Sequence, residues 1–228
     1  MKKPSAKSLQ LRKEKLETRL REFGLDSTIR ESIAFDETQY SYPAPHLSAE
    51  RLLILLAVSF TAYNFDESEK VMDWLKKEQL WKSVSAHEKE FFRDPDPGED
   101  EKQRLSWRFE GAYILAWALK MVSSSAEPGT ECSKEQVNAF LQAVPTVGSS
   151  TEGFLSALHY RSLPEVLDEN LFYETATVYF REIVVRDKEN TSQVHAKASF
   201  ERHLALSWLR NAAEQPDWDT AAMNINDI

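Results

Sequence analysis

A carboxylate in the middle of an apolar helix must be either paired or put to use. Glu110 lies in Trp107-Arg108-Phe109-Glu110-Gly111 and is followed by the apolar run Tyr113 to Leu119. An unpaired buried charge costs several kcal/mol, so such a group needs a partner or a task. Glu174 and Arg181 stand seven apart on a second predicted helix and share one face, and Glu201 and Arg202 lie within a third. One reading joins Glu110, Arg161, Arg181 and Glu201 in an ion-pair network between helices. The other sets the same groups around a pocket, where a carboxylate of raised pKa acts as general acid or base. Spacing along the chain leaves both open.

Other chemistries find less footing. The six glycines are scattered singly, with neither a Walker pattern nor a dinucleotide fingerprint. Cys132 is the single cysteine and sits in the polar stretch Gly129 to Ser133, which predicts exposure and excludes an intramolecular disulfide. A structural zinc site needs closely paired His or Cys. His46, His87, His159, His195 and His203 do not supply such pairs, and His195 and His203 stand eight apart. His87 is explained by its place inside a capping box. The expectation is no metal and no cofactor.

The elements that would position these groups are helical. Leu9, Leu16, Leu20 and Phe23 recur at helical spacing with Gly24 at the stop, which predicts a basic amphipathic helix over 8–23. Residues 26–47 carry Pro43 and Pro45 and are predicted to be a packed connector. Ser48 is the expected cap of an apolar helix ending at Tyr63, and Asp66 that of a short helix through Leu75. Ser85/Glu88, Ser133/Gln136 and Ser162/Glu165 match the capping-box pattern and open three further helices. The stretch Asp94 to Glu101 predicts an acidic exposed loop. Helices are also expected over 104–122, 154–160 and 193–213, the first as the core element, with Trp218 folding back onto the body. No segment alternates with period two. The fold class is therefore all-α, a compact multi-helix domain with about eight helices around a central apolar helix (104–122). Residues 1–25 form a basic N-terminal helix packed on the body, and 26–228 form a single helical domain.

Charge narrows the partners. Of the net −9, residues 1–23 carry eight Lys/Arg against three Glu, which leaves −14 on the remainder. An acidic body repels phosphate backbones, and no aromatic residue interleaves the N-terminal cations for base stacking, so nucleic acid is not the expected partner. The longest apolar stretch, Leu52 to Tyr63, is too short to span a bilayer, and the basic N-terminus is not followed by an apolar run. A cytoplasmic protein, monomer or homodimer, is expected.

Three segments resemble a bacterial family catalogued as domain of unknown function 4272. They are Leu105 to Leu119, Arg161 with Glu165 to Tyr173 and Arg181, and Glu201 to Leu209 with Trp218-Asp219. Trp81 to Phe91 adds a looser match. Asn170 and Ser207 depart from the family pattern, where Asp and Asn are expected. The resemblance implies a compact helical fold. It points to Glu110, Arg161, Asp168, Tyr173, Arg181, Glu201 and Arg202 as the place to look.

Three functions follow. A small acidic helical domain suits a non-catalytic protein-binding role, immunity-like in that it inhibits a toxin or effector, with Asp94, Asp96, Glu99 and Asp100 as a contact for a basic partner. A hydrolase would need a pocket lined by Glu110, Asp168, Tyr173 and Glu201. A regulatory module would bind a small anionic ligand through Arg108, Arg161, Arg181 and Arg202.

Overall fold

The computed structural model describes residues 3–25, 34–156 and 158–226. Among these residues there are ten α-helices and no strand. The central layer is α6 (Arg108–Ala118), preceded by α5 (Glu99–Ser106). The apolar helix α2 (Pro45–Tyr63) packs on one side of this pair and α9 (Ala196–Asn211) on the other. Beyond α9 lies α8 (Leu163–Val185), and beyond that α1 (Ala6–Glu22). Three shorter helices, α3 (Ser68–Lys77), α4 (Ala86–Arg93) and α7 (Lys134–Ala143), complete the body, and α10 (Trp218–Asn226) returns onto α9.

The expected core helix 104–122 is two helices meeting at Trp107, because side-chain hydroxyls take carbonyls at the joint. Ser106 Oγ donates to Gln103 O at 2.8 Å, and Ser59 Oγ of α2 donates to Ser106 O at 2.8 Å. Hydroxyls that bond nearby carbonyls compete with the helical ladder. The helix also stops early. Lys120 takes a φ of 59°, and Met121 N–H closes back on Ala116 O at 2.9 Å, a left-handed stop made without glycine.

Local signals explain most of the ends. Ser5 caps α1, and Gly24 at φ 70° lets Leu25 N–H reach Leu20 O at 2.9 Å, so the predicted stop falls where a Cβ would be strained. Ser85 and Ser133 cap through complete boxes, with Glu88 and Gln136 returning the bond to the serine N–H. Glu165 accepts from both the N–H and the hydroxyl of Ser162.

Two expected caps are wrong, and one expected helix is shorter. Ser48 lies inside α2, fully buried, with its hydroxyl 2.6 Å from that of Tyr160, because Pro45 opens the helix one turn earlier with its fixed φ. Asp66 lies in a 3-10 turn ahead of α3 and caps nothing. The helix expected over 154–160 is a single 3-10 turn, Phe154–Ser156, with position 157 outside the described residues. Positions 26–33 of the expected connector also lie outside them.

Helix α1 docks on α8 by burying Leu16 and Leu20, and its cations face α8 carboxylates: Arg12 meets Asp168 at 2.6 Å and Arg19 meets Glu169 at 2.6 Å. Gly129 is required by a close approach, since a Cβ there would stand 2.6 Å from Gln193 O. No helix among the described residues is long and apolar enough to cross a membrane.

Candidate functional site

Two ion pairs fasten α6 to α9, and their order on the helices is reciprocal. Helix α6 offers Arg108 and Glu110, and α9 offers Glu201 and Arg202. Arg108 Nη1 meets both Glu201 oxygens, at 2.7 and 3.0 Å. Arg202 Nε and Nη2 meet Glu110 Oε2 at 3.0 and 2.7 Å. Gly111 sits between the helices, where a Cβ would come within 3.3 Å of Leu55 and 3.5 Å of Ala205.

Arg202 is 0% exposed and uses all its donors. Besides Glu110 it reaches Glu127 O at 2.8 Å, Thr130 O at 2.8 Å and the Tyr173 hydroxyl at 3.1 Å. Burial alone would lower its pKa, but Tyr173 and Glu110 hold it above the usual guanidinium range. The remaining Glu110 oxygen accepts Cys132 N–H at 2.8 Å. The pair therefore pins the 127–132 loop to the core. Cys132 is partly buried rather than exposed, because this loop folds inward to reach Glu110. Burial, reinforced by the Glu110 charge, pushes the thiol well above its ordinary value, which is the opposite of an activated nucleophile.

The second pair belongs to a larger cluster. Arg51 of α2 meets Glu88 of α4 at 2.5 and 2.6 Å, while Glu88 also completes its capping box. The Trp218 ring lies over both guanidiniums, 4.7 Å from that of Arg51 and 5.5 Å from that of Arg108. Asp219 accepts the His87 N–H at 3.0 Å. The Trp-Asp step at the start of α10 thus covers two buried ion pairs and ties down the start of α4. The signal for Arg51 and Glu88 was present in the sequence, as a lone cation in a helix apolar nearly all round and an acid in a capping box.

The other candidates stand apart. Arg161 does not meet Glu110. It donates to Trp117 O, Val122 O and Ser123 O at 2.7–2.8 Å and caps the carbonyl end of α6, where a cation complements the helix dipole. Asp168 is half-exposed against Arg12. Glu174 pairs at 2.6 Å with Arg210, which also reaches Asn170 Oδ1 at 2.6 Å. Asp94 accepts Asp96 N–H, and Glu99 meets Lys102 at 2.8 Å. Only positions 94–98 of the expected acidic loop are irregular. Glu99, Asp100 and Glu101 make the first turn of α5, where negative charge is favoured. Among the described residues no group of three or more His, Cys, Asp or Glu could hold a metal ion.

Arg108, Glu201 and Arg181 reach one open space, a cleft of about 850 Å³ between α5, α8, α9 and α10. Trp107, Phe180, Phe200 and Leu204 give it an apolar lining, with Arg104 and Lys197 among the polar side chains. Val184 and Val185 line its α8 side at 78% and 84% exposure.

His203 lies behind α8, wholly buried. Thr177 Oγ1 donates to Tyr173 O at 2.9 Å, so His203 Nδ1–H donates to Thr177 Oγ1 at 2.9 Å, and Nε2 has no partner. Burial first, then the charges of Arg210 and Arg181, lower its pKa well below 6.5. The folded state then holds fewer protons than the unfolded chain once the pH drops below that value. Stability is fully present above pH 6.5 and is expected to fall by about 1.4 kcal/mol per pH unit beneath it, toward the lower folded-state value. Urea titrations at several pH values should give this slope as the difference between the wild type and His203→Gln. Parallel pH profiles for the two would refute it.

A family model described as Domain of unknown function (DUF4272) matches residues 12–221. Comparison with curated proteins and with solved structures gives no match.

Proposed function

The chain belongs to the family of the domain of unknown function DUF4272, and from that premise we propose that it is a non-catalytic protein-binding protein. The observation that carries this reading is the cleft beside α8, whose valine pair is left in solvent although it could be covered by a partner. The candidate carboxylates speak for the same reading. Glu110 accepts from Arg202 and from the Cys132 N–H inside the core, and Glu201, which lines the cleft, has both oxygens held by Arg108. In its sharper, immunity-like form, the partner is a toxin or effector held inactive in the cytoplasm. The acidic start of α5 reaches the rim of the cleft at Asp100 and offers an adjoining contact for basic groups of that partner.

Affinity purification from the source cells is expected to recover one stoichiometric protein. The V184D/V185D variant should lose it at unchanged thermal stability, because both side chains lie in solvent. Retention by this variant and loss on charge reversal at Asp94, Asp96, Glu99 and Asp100 would move the contact to the acidic segment. Retention by both variants would end the proposal. Lys197, exposed at the cleft, favours a second reading, a regulatory module for a small anion. A melting-temperature rise with nucleotides or organic acids would support it.

A further inference from the structure

Two spaces flank α10. The cleft reaches it at Ala222 and is lined by Arg108. A second recess, of about 340 Å³, lies between the start of α2, the loop before α4 and the end of α9, and Arg51, Trp208 and Trp218 line it. Arg108 and Arg51, one from each space, meet under the same indole ring, at 5.5 and 4.7 Å. Trp218 thus stands between the two spaces. The residues beneath it are almost wholly buried, Arg108 at 5% and Arg51 at 3% exposure.

The seat of that ring leaves donors unpaired. The Nε–H of Arg51, the Nε–H of Arg108 and the indole N–H of Trp218 are buried without a hydrogen-bond partner. Buried unpaired donors are rare and each costs free energy, so three at one aromatic plug make it easier to lift, because solvent then pairs them all. The rest of α10 is lightly held. Over positions 218–225 only Trp218 and Ile225 are buried, and Met223 is exposed. The helix hangs from α9 by the link 213–217, exposed at every position. Two polar ties hold it, His87 N–H to Asp219 at 3.0 Å and Trp208 Nε1–H to Pro216 O at 2.9 Å. Few buried contacts behind an exposed link mark a segment that opens more readily than the whole fold.

We propose that α10 is a lid. It turns as a unit on the link 213–217, lifts Trp218 off Arg51 and Arg108, and joins the cleft and the recess into one continuous site. The Arg51–Glu88 and Arg108–Glu201 pairs then form the floor of that site. Burial of Trp218 and Ile225 and the Asp219 bond to α4 favour the closed state, and relief of the three unpaired donors favours the open one. The lid is independent of the protein-binding reading, since it governs access to the site whatever binds there.

Hydrogen exchange and arginine modification, both on the full chain, test the lid. The amides of positions 221–225 are expected to exchange together, at least about tenfold faster than those in the middle of α9. Phenylglyoxal, with mass-spectrometric mapping, is expected to modify Arg51 and Arg108 slowly and to spare Arg202, which is 0% exposed and held by Glu110 and the 127–132 loop. The D219A variant cuts the tie to α4, and the loss of a charge-assisted hydrogen bond should speed both readouts by a further factor of about ten. Exchange within α6 and α9 should stay as in the wild type. Fast exchange confined to positions 224–225, with 221–223 as protected as α9, would reduce the motion to fraying of the last turn and overturn the proposal. Modification of Arg51 and Arg108 only in step with Arg202 would also overturn it, because the opening would then be global unfolding. Unchanged rates in D219A would do the same, since the α4 tie would not be what holds the lid.

Discussion

Replacing Arg202 with methionine is expected to destabilise the protein by about 3–5 kcal/mol, the cost of leaving the other member of a buried ion pair uncompensated. The substitution strands the Glu110 carboxylate, two backbone carbonyls of the 127–132 loop and the Tyr173 hydroxyl in a region without solvent. Net stabilities of domains are about 5–15 kcal/mol, so the loss would unfold much of the population on mild heating. Arg202→Lys should rescue little, because three donors on a point charge cannot serve a fork of this shape. The double variant E110L/R202M should recover part of the loss, since removing both charges together avoids the orphan. Urea denaturation followed by near-ultraviolet circular dichroism measures all three. A single-variant loss below about 1 kcal/mol would mean that water reaches the pair.

Trp218→Ala is expected to cost about 3–5 kcal/mol, the range for truncating a buried aromatic residue. The ring is 2% exposed, packs at 6.0 Å on Trp208, and roofs the Arg51–Glu88 and Arg108–Glu201 pairs. Its removal opens both pairs to water and loosens α10, whose Asp219 holds the start of α4. Trp218→Phe should cost a fraction of that, because the indole N–H has no partner to lose and a phenyl face still attracts the guanidiniums. Chemical denaturation of the two variants gives the comparison. A loss within about 0.5 kcal/mol for the alanine variant, the usual range of surface substitutions, would show that α10 is not seated on the ion pairs.

The two effects share an origin, because the charged residues of the α6 and α9 motif segments are structural partners of one another. Glu110 with Arg202 and Arg108 with Glu201 join α6 to α9, while Arg161 closes the end of α6. Of the charges in the three motif segments, Arg108, Glu201 and Arg181 reach the cleft, and the first two reach it paired with each other.

Local interactions made much of this legible in advance. The all-helical class, the three capping boxes, the Gly24 stop and the inward turn of Trp218 depend on neighbours within a few residues or on side-chain hydrophobicity, and both are written in the sequence. The same reasoning recognised that Glu110 needs a partner. It could not say which one, because Arg202 is 92 positions away and Arg161 is nearer in sequence, and a pair is chosen by how helices cross. The break at Trp107 needed Ser59 from another helix, and the cleft is a property of three faces that no single helix carries. The sequence determined which residues must be buried, capped or paired, since desolvation and hydrogen-bond satisfaction act on each residue. Only the tertiary structure decided who pairs with whom and where the surface stays open, since both depend on relative placement of helices far apart in the chain.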